Sequence, residues 1–236
     1  MRVALLSDIH SNLEALDAVL VSLPEVDRVV VLGDIVGYGP DPNSVIARLR
    51  AIGARAVRGN HDQAMLQSAM LELFNPHAAA AARWTQSVLT PQSWRYLKSL
   101  PSHGRVGKHR AVHGSPNKPY IWEYILDDLQ ALEILVKLGR RWCFFGHTHL
   151  PRIFTEEGEQ LPTLDRWLPL PASALVNPGS VGQPRDGNPK ASFAVADLDA
   201  EAVQFYRVAY DIKATQAKIR EAGLPEIEAV RLADGR

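Results

Sequence analysis

Short apolar runs alternate with stretches of helical periodicity through the first sixty residues. The runs at 2–7, 28–34 and 54–57 predict buried strands, because Gly or Asp ends each run or follows it within two residues. Between them, 12–23 and 41–52 have apolar residues at helical spacing, as at Leu13, Leu16 and Leu20. An order of strand, helix, strand, helix, strand predicts a parallel arrangement with right-handed crossovers.

The second half of the chain changes pattern twice. Residues 63–100 contain five consecutive alanines and no β-branched run, which predicts a helical insertion that covers the core or walls a site. Strands are predicted at 110–114 and 141–147, with a helix at 127–138. The segments 152–155, 174–179, 192–198 and 202–210 alternate as in an antiparallel sheet, and a helix is predicted over 211–223. With no repeat or linker, we predict one domain over 1–236.

Composition narrows the class of protein without selecting a function. The 236 residues are 46% hydrophobic and 22% charged, with 26 basic and 26 acidic side chains, so no stable nucleic-acid partner is expected. No apolar run approaches the roughly 20 residues that span a bilayer, and Asp8 interrupts the N-terminal run, so we expect a cytoplasmic protein without membrane association. The single cysteine, Cys143, is predicted to be a buried thiol in a reducing compartment.

Five of the predicted strands end in side chains that ligate metal ions. Five of the eight histidines lie in these clusters. Because ligand sites lie beyond the carboxyl ends of strands in open α/β sheets, we expect the clusters to meet at one sheet edge. The clusters are Asp8 and His10; Asp34; Asn60, His61 and Asp62; His113; and His147 and His149.

The residue types favour a pair of transition-metal ions. Asp8 and His10 can chelate one ion from the same loop, and Asp34 can give one carboxylate oxygen to each of two ions. Mixed carboxylate and imidazole ligands suit Mn, Fe, Zn or Ni better than Ca, and the lack of Cys argues against structural zinc. Two ions about 3.5–4 Å apart clamp the attacking and leaving oxygens of a phosphoryl group, with a bridging hydroxide as nucleophile.

His61 is the candidate for proton transfer. It directly follows Asn60, and we hypothesise that it donates a proton or hydrogen bond to the leaving oxygen. Asp62, the next residue, is counted with it as catalytic.

Two further residues are candidates for substrate binding. Glycines in the loop 177–189 allow a tight turn whose amides could face an anion, and Arg185 could contact phosphate. The alternative is a structural turn between two strands. Tyr38 could stack on a base or aryl group, or it could pack in the core.

The ordered motifs resemble those of the calcineurin-like metallophosphoesterase superfamily. They are D-x-H, G-D-x-x-x-x-G, G-N-H-D, an isolated H, and G-H-T-H, and the match covers residues 3–149. The second motif departs mildly, with glycines at both 37 and 39. The segments SDIHSNLEAL, GDIVGYGPDPN and NPGSVGQPRDGNP look most like compact prokaryotic phosphodiesterase-type members.

The resemblance implies a fold and a ligand set. The fold is a four-layer αββα sandwich of two mixed β-sheets flanked by helices. The metals would be Mn or Fe, with Zn, Ni and Mg possible, and His61 would be the catalytic histidine. One ion would take Asp8, His10, Asp34 and His149, and the other Asp34, Asn60, His113 and His147.

The function expected from this resemblance is metal-dependent hydrolysis of phosphate esters. Phosphodiesters or small nucleotides are the expected substrates. Phosphomonoesters, including phosphorylated Ser or Thr in proteins, and dinucleoside polyphosphates are alternatives. A metal-binding scaffold without activity is the non-enzymatic alternative, and an oligomer is possible.

Overall fold

The computed structural model describes all 236 residues. Its twelve strands are β1 (Arg2–Leu6), β2 (Arg28–Val31), β3 (Arg55–Ala56), β4 (His103–Val106), β5 (His109–Val112), β6 (Trp142–Phe144), β7 (Pro151–Thr155), β8 (Gly158–Gln160), β9 (Trp167–Pro169), β10 (Ala174–Pro178), β11 (Ala191–Asp197) and β12 (Ala202–Val208). Its α-helices are α1 (Leu13–Ser22), α2 (Pro42–Ala51), α3 (Asn60–Leu66), α4 (Pro76–Val88), α5 (Pro91–Ser99), α6 (Asp128–Leu138), α7 (Ile212–Glu221) and α8 (Glu226–Asp234), and Ser68–Leu73 forms a 3₁₀ helix.

The strands form two mixed sheets of six strands each. The first sheet has the order β3-β2-β1-β11-β12-β9 and the second β4-β5-β6-β10-β7-β8. Parallel pairing joins β1, β2 and β3 in the first sheet, and β5, β6 and β10 in the second. The carboxyl ends of both parallel sets lead into the loops that hold the metal-ligand candidates.

Burial on both faces of β1 shows how the layers stack. Val3 and Leu5 pack with Phe144 between the two sheets, whereas Ala4 and Leu6 pack against helices α1 and α2 on the outside of the first sheet. Helix α6 covers the outer face of the second sheet through a separate cluster of ten buried residues. The layers are therefore helices, sheet, sheet, helix, which confirms the predicted αββα sandwich.

The antiparallel interpretation of the second half is wrong for one strand. Strand β10 lies between β6 and β7 in the second sheet, and it pairs antiparallel with β7 but parallel with β6. Strands β4, β8 and β9 and helix α8 were not predicted. These strands are short and largely exposed, so they have little alternation to detect.

The segment 63–100 is helical and serves both roles considered for it. Ala64, Ala82 and Leu97 are buried in the core cluster outside the first sheet. Phe74, which follows the 3₁₀ helix, places its ring 4.6 Å from that of His61. No helix anywhere in the chain has both the length and the apolar character needed to cross a membrane.

Cys143 lies on β6 with none of its surface exposed, as predicted. Burial raises the pKa of its thiol to about 12. Because the thiolate is the reactive species, we expect no reaction with an aromatic disulfide reagent in the native state at pH 8. In guanidinium chloride one thiol per chain should react. Labelling of the native protein at the rate of a free thiol would contradict this burial.

Candidate metal centre

The ligand candidates occupy loops with an unusual backbone. Five of the seven have positive φ: Asp8 at 52°, His10 at 48°, Asp34 at 52°, His147 at 70° and His149 at 61°. Residues other than Gly seldom adopt this left-handed conformation, and such strain collects at functional sites. At each of these sharp turns, the side chain of the ligand candidate points toward the other ligand candidates.

These loops come from both sheets. Asp8, His10 and Asp34 follow β1 and β2 of the first sheet, and His113 and His147 follow β5 and β6 of the second. The expectation that all clusters meet at the edge of one sheet is therefore wrong. They meet where the corresponding edges of two stacked sheets come together.

Side-chain donor atoms converge in three overlapping groups whose members lie within 4.8 Å of one another. Asp34 belongs to two of these groups and is the shared carboxylate. His61 falls in one group, although sequence reasoning placed it outside the ligand set. The groups are Asp8, His10 and His149; His10, Asp34 and His61; and Asp34, His113 and His147.

The lone pairs on the Nε2 atoms of His10 and His149 point toward each other. Their Nδ1 atoms lie 3.1 Å from the carbonyl oxygen of Val36 and 2.6 Å from that of Gln183, so each Nδ1 carries the hydrogen. Burial holds the pKa of both rings well below the usual range, so both are neutral. Their Nε2 atoms are 3.1 Å apart and neither has a proton to offer the other. A cation between them removes this repulsion.

His113 is oriented in the same way. Its Nδ1 donates to the carbonyl oxygen of Leu32 at 2.7 Å, and its Nε2 lies 3.2 Å from Asp34 Oδ2 and 3.1 Å from Asn60 Oδ1. Metal-bound histidines commonly donate the other ring N–H to a backbone carbonyl in this manner. Burial lowers the pKa of His113, but the charge of Asp34 and their hydrogen bond raise it to about 9. The cluster thus favours positive charge.

Asp8 contributes an oxygen with no protein partner. Its Oδ2 accepts from the backbone N–H of His147 at 3.1 Å, whereas Oδ1 is buried without a hydrogen bond, 3.4 Å from His149 Nε2. Burial raises the pKa of Asp8 to about 6. A buried carboxylate oxygen without a donor is costly unless it meets a cation. Donor types, opposed lone pairs and this oxygen together fit a pair of divalent ions.

His61 lies beside this cluster and is held by packing. Its ring contacts those of Tyr38 and Phe74, with centroids 4.5 and 4.6 Å apart. Gly37, at φ +97°, is required here, because a Cβ would lie 2.5 Å from His61 Nδ1. That Nδ1 is buried with no hydrogen-bond partner. Burial lowers the pKa of His61 to about 4, so the ring is neutral at pH 7.

Asp62, counted with His61 as catalytic from the sequence, forms no hydrogen bond with His61. Its carboxylate accepts hydrogen bonds from the backbone N–H groups of Ile35 at 2.9 Å, Val36 at 3.2 Å and Gly59 at 2.9 Å. It therefore ties the loop after β2 to the start of α3. This geometry fits a residue that positions the two loops around the site.

The Asp62→Ala variant should lose stability because three buried amides lose their acceptor. We expect the free energy of unfolding to fall by about 3 kcal/mol, measured by urea denaturation. Asp17→Ala, which breaks an exposed pair with Arg48, is the control and should change stability by less than about 1 kcal/mol. If both variants lowered the free energy of unfolding equally, the structural role of Asp62 would be contradicted.

The loop 177–189 supports the strand ends through several of its backbone amides. The N–H groups of Val181 and Gly182 donate to the carbonyls of Ser7 and Asp8, at 2.9 and 3.0 Å. Arg185 differs, because its Nη2 contacts only the neutral oxygens of Gln183 at 2.8 Å and Tyr38 at 3.5 Å. Its guanidinium forms no ion pair and lies 5.8 Å from the centroid of the Tyr38 ring.

Sequence reasoning missed three residues around the site. Tyr124 stacks on His147 with ring centroids 3.8 Å apart, and Gln183 accepts from His149 through its backbone carbonyl. The Gln183 side chain donates to Glu228 on α8 at 2.9 Å. A backbone contact leaves no trace in residue type, but Pro225 followed by Glu226 and Glu228 is a helix-start signal that could have located α8.

Comparison with known proteins gives consistent results. The profile described as calcineurin-like phosphoesterase superfamily domain matches residues 1–201. An uncharacterized protein of Methanocaldococcus jannaschii is 39% identical, with 99% of this chain and 98% of that protein aligned. Phosphodiesterase YfcE of Escherichia coli K12 is 29% identical over 86% of this chain and 91% of its own. The crystal structure of a metallophosphoesterase from Sphaerobacter thermophilus is 43% identical, covers 100% of this chain and 99% of its own, and superposes with a TM-score of 0.89.

Proposed function

The chain belongs to the calcineurin-like phosphoesterase superfamily, and from this premise we propose that it hydrolyses phosphodiesters, including small nucleotides. Members of this family use a dinuclear centre of divalent metal ions, and the chain is a metal-dependent phosphoester hydrolase. The observation that carries the proposal is the convergence of carboxylate and imidazole donors with opposed lone pairs and one unpartnered carboxylate oxygen.

Seven residues would hold the two ions. The groups around Asp8 and around His113 correspond to the two positions, with Asp34 between them. When bound, such a pair activates water at neutral pH and neutralises charge on the phosphoryl oxygens. The proposed ligands are Asp8, His10, Asp34 and His149 for one ion, and Asp34, Asn60, His113 and His147 for the other.

His61 would act on the leaving oxygen. Its ring is held by Tyr38 and Phe74 beside the donor cluster, and its orientation therefore needs no reorganisation during the reaction. The negative charge of a nearby phosphate raises the pKa of an imidazole, in the direction that proton donation requires. Protonating the departing alkoxide is the step that this position supports.

The single guanidinium of Arg185 beside the proposed metal positions favours a substrate with one negative charge. Arg185 forms no ion pair within the chain, and its charge lowers the pKa values of His10, His61 and His149. A diester carries one negative charge and a monoester up to two, so one guanidinium beside the metals suits the diester better. The relative named phosphodiesterase supports the same choice.

The test of this function is hydrolysis of bis-p-nitrophenyl phosphate beside p-nitrophenyl phosphate. Metal-depleted protein would be refilled with Mn, Fe, Ni, Zn or Mg. We expect turnover that depends on added metal and favours the diester. A preference for the monoester would redirect the proposal to phosphomonoesters, and no turnover with metals bound would refute it for these esters.

Arg185→Ala should weaken substrate binding more than it slows the chemical step. The loss of one charge-assisted hydrogen bond predicts a KM for the diester raised by about tenfold, with a smaller change in kcat. Arg140→Ala is the control, because Arg140 precedes β6 at the end of the strand opposite the site. If KM is unchanged in the Arg185 variant, Arg185 does not contact the substrate.

A further inference from the structure

A cleft opens directly beside His61 and His147. Its volume is about 260 Å³, and it lies between the 3₁₀ helix of the segment 63–100 and the loop before α6. Eight of its twelve lining residues are hydrophobic, and none is Asp, Glu, Lys or Arg. We call this space the aromatic cleft. Its main walls are Met70, Leu73, Phe74, Ile121, Trp122 and Tyr124.

The walls of the aromatic cleft expose large apolar side chains to water. Leu73 is 83% exposed, Ile121 49% and Tyr124 46%. Contiguous exposed apolar groups around a concavity mark a ligand site. Asn75 also faces the cleft, and while its Oδ1 caps α4, its side-chain amide donates no hydrogen bond within the chain.

We propose that the aromatic cleft binds the leaving group of the substrate, and that this group is an uncharged nucleoside. The inference rests on the phosphoesterase function proposed above. His61 acts there on the leaving oxygen and also borders the cleft, so the group attached to that oxygen extends into it. Arg185 does not line the cleft and would hold the phosphate.

The charge and the size of the aromatic cleft favour a nucleoside over a nucleotide or a protein as the leaving group. A dinucleoside polyphosphate releases a nucleotide, whose phosphates would find no cation in the aromatic cleft. A volume of about 260 Å³ is below the range of about 300–1,000 Å³ typical of pockets for drug-sized ligands, so it suits a group no larger than one nucleoside. The flat rings of Phe74, Trp122 and Tyr124 suit stacking by a base, and Asn75 offers a donor to its edge.

The test compares adenosine and ribose as ligands of the full chain, with and without added Mn²⁺, by saturation-transfer NMR. The variants are Leu73→Asp, which puts charge in the cleft at an exposed position, and Tyr124→Ala. We expect adenosine to bind at least about tenfold more tightly than ribose, and each variant to weaken adenosine binding by about tenfold. Leu161→Asp changes a leucine that is 70% exposed outside the cleft and should bind adenosine as the wild type does.

Three results would overturn the proposal: no adenosine binding to the wild type, equal binding of ribose, or unchanged adenosine affinity in Leu73→Asp. The binding measurement requires no turnover. If the wild type hydrolyses bis-p-nitrophenyl phosphate but the cleft variants bind adenosine normally, only the cleft assignment fails. If no ester is hydrolysed while adenosine binds in the cleft, the proposed function fails and the cleft remains a nucleoside site.

Discussion

Asp34→Asn is expected to deplete both metal positions and to lower turnover of a phosphodiester by more than about 100-fold. Loss of a residue that merely supports a ligand costs about 10–100-fold, and Asp34 is the proposed ligand shared by both ions. Its Oδ2 lies 3.2 Å from His113 Nε2 and 3.7 Å from His10 Nε2, so one oxygen faces histidines of both groups. Metal content per chain, measured by mass spectrometry beside turnover, tests the expectation.

The fold should survive this change. The other carboxylate oxygen, Oδ1, accepts from the backbone N–H of His61 at 2.9 Å, and an asparagine oxygen can accept the same bond. Asn also tolerates the positive φ found at this position. Asp17→Asn, on an exposed helix surface, is the matched control and should keep both metals. Full occupancy of one position with surviving activity in Asp34→Asn would show that the two-metal arrangement is wrong.

His61→Ala is expected to slow turnover by about 10²–10⁴-fold, the usual range for a general acid or base, while metal content stays near that of the wild type. The physical reason is the position of the ring, which borders both the donor cluster and the aromatic cleft without forming a hydrogen bond through Nδ1. Metal analysis and kcat on the same preparation separate the two effects. His77→Ala, at an exposed histidine on α4, should change neither.

A ligand role is the specific rival for His61. Its ring nitrogen lies within 4.8 Å of donor atoms of His10 and Asp34, which is close enough for a shared ion. Loss of metal from His61→Ala would therefore move His61 into the ligand set and refute its role in proton transfer. His61→Asn is a useful second variant, because a side chain that can hydrogen-bond but cannot transfer a proton should recover little activity.

The donor set could be predicted from sequence because its signals are local. Asp8, Asp34 and His147 each follow an apolar run within a few residues, and strand ends of this type fix both the place and the direction of a side chain. The order of the motifs then implied the sandwich. Neither signal depends on knowing how the two sheets pack.

The remaining features depend on contacts between distant segments. That β10 lies parallel to β6 is a property of sheet order, which alternation along one strand does not encode. His149 donates to the backbone carbonyl of Gln183, a contact that does not depend on residue type. The side chain of Gln183 donates to Glu228, which lies 45 positions away in the sequence. The environment of Asp62 is another example, because adjacency to His61 says nothing about the three amides that its carboxylate meets.

The left-handed backbone at five ligand candidates has an evolutionary consequence. Asn adopts this conformation more readily than most residues, and it is close in size to Asp. A lineage could therefore exchange Asp8 or Asp34 for Asn, lose the charge that attracts metal, and keep the shape of the loops. Metal binding at these two positions can thus be lost without loss of the loop conformation.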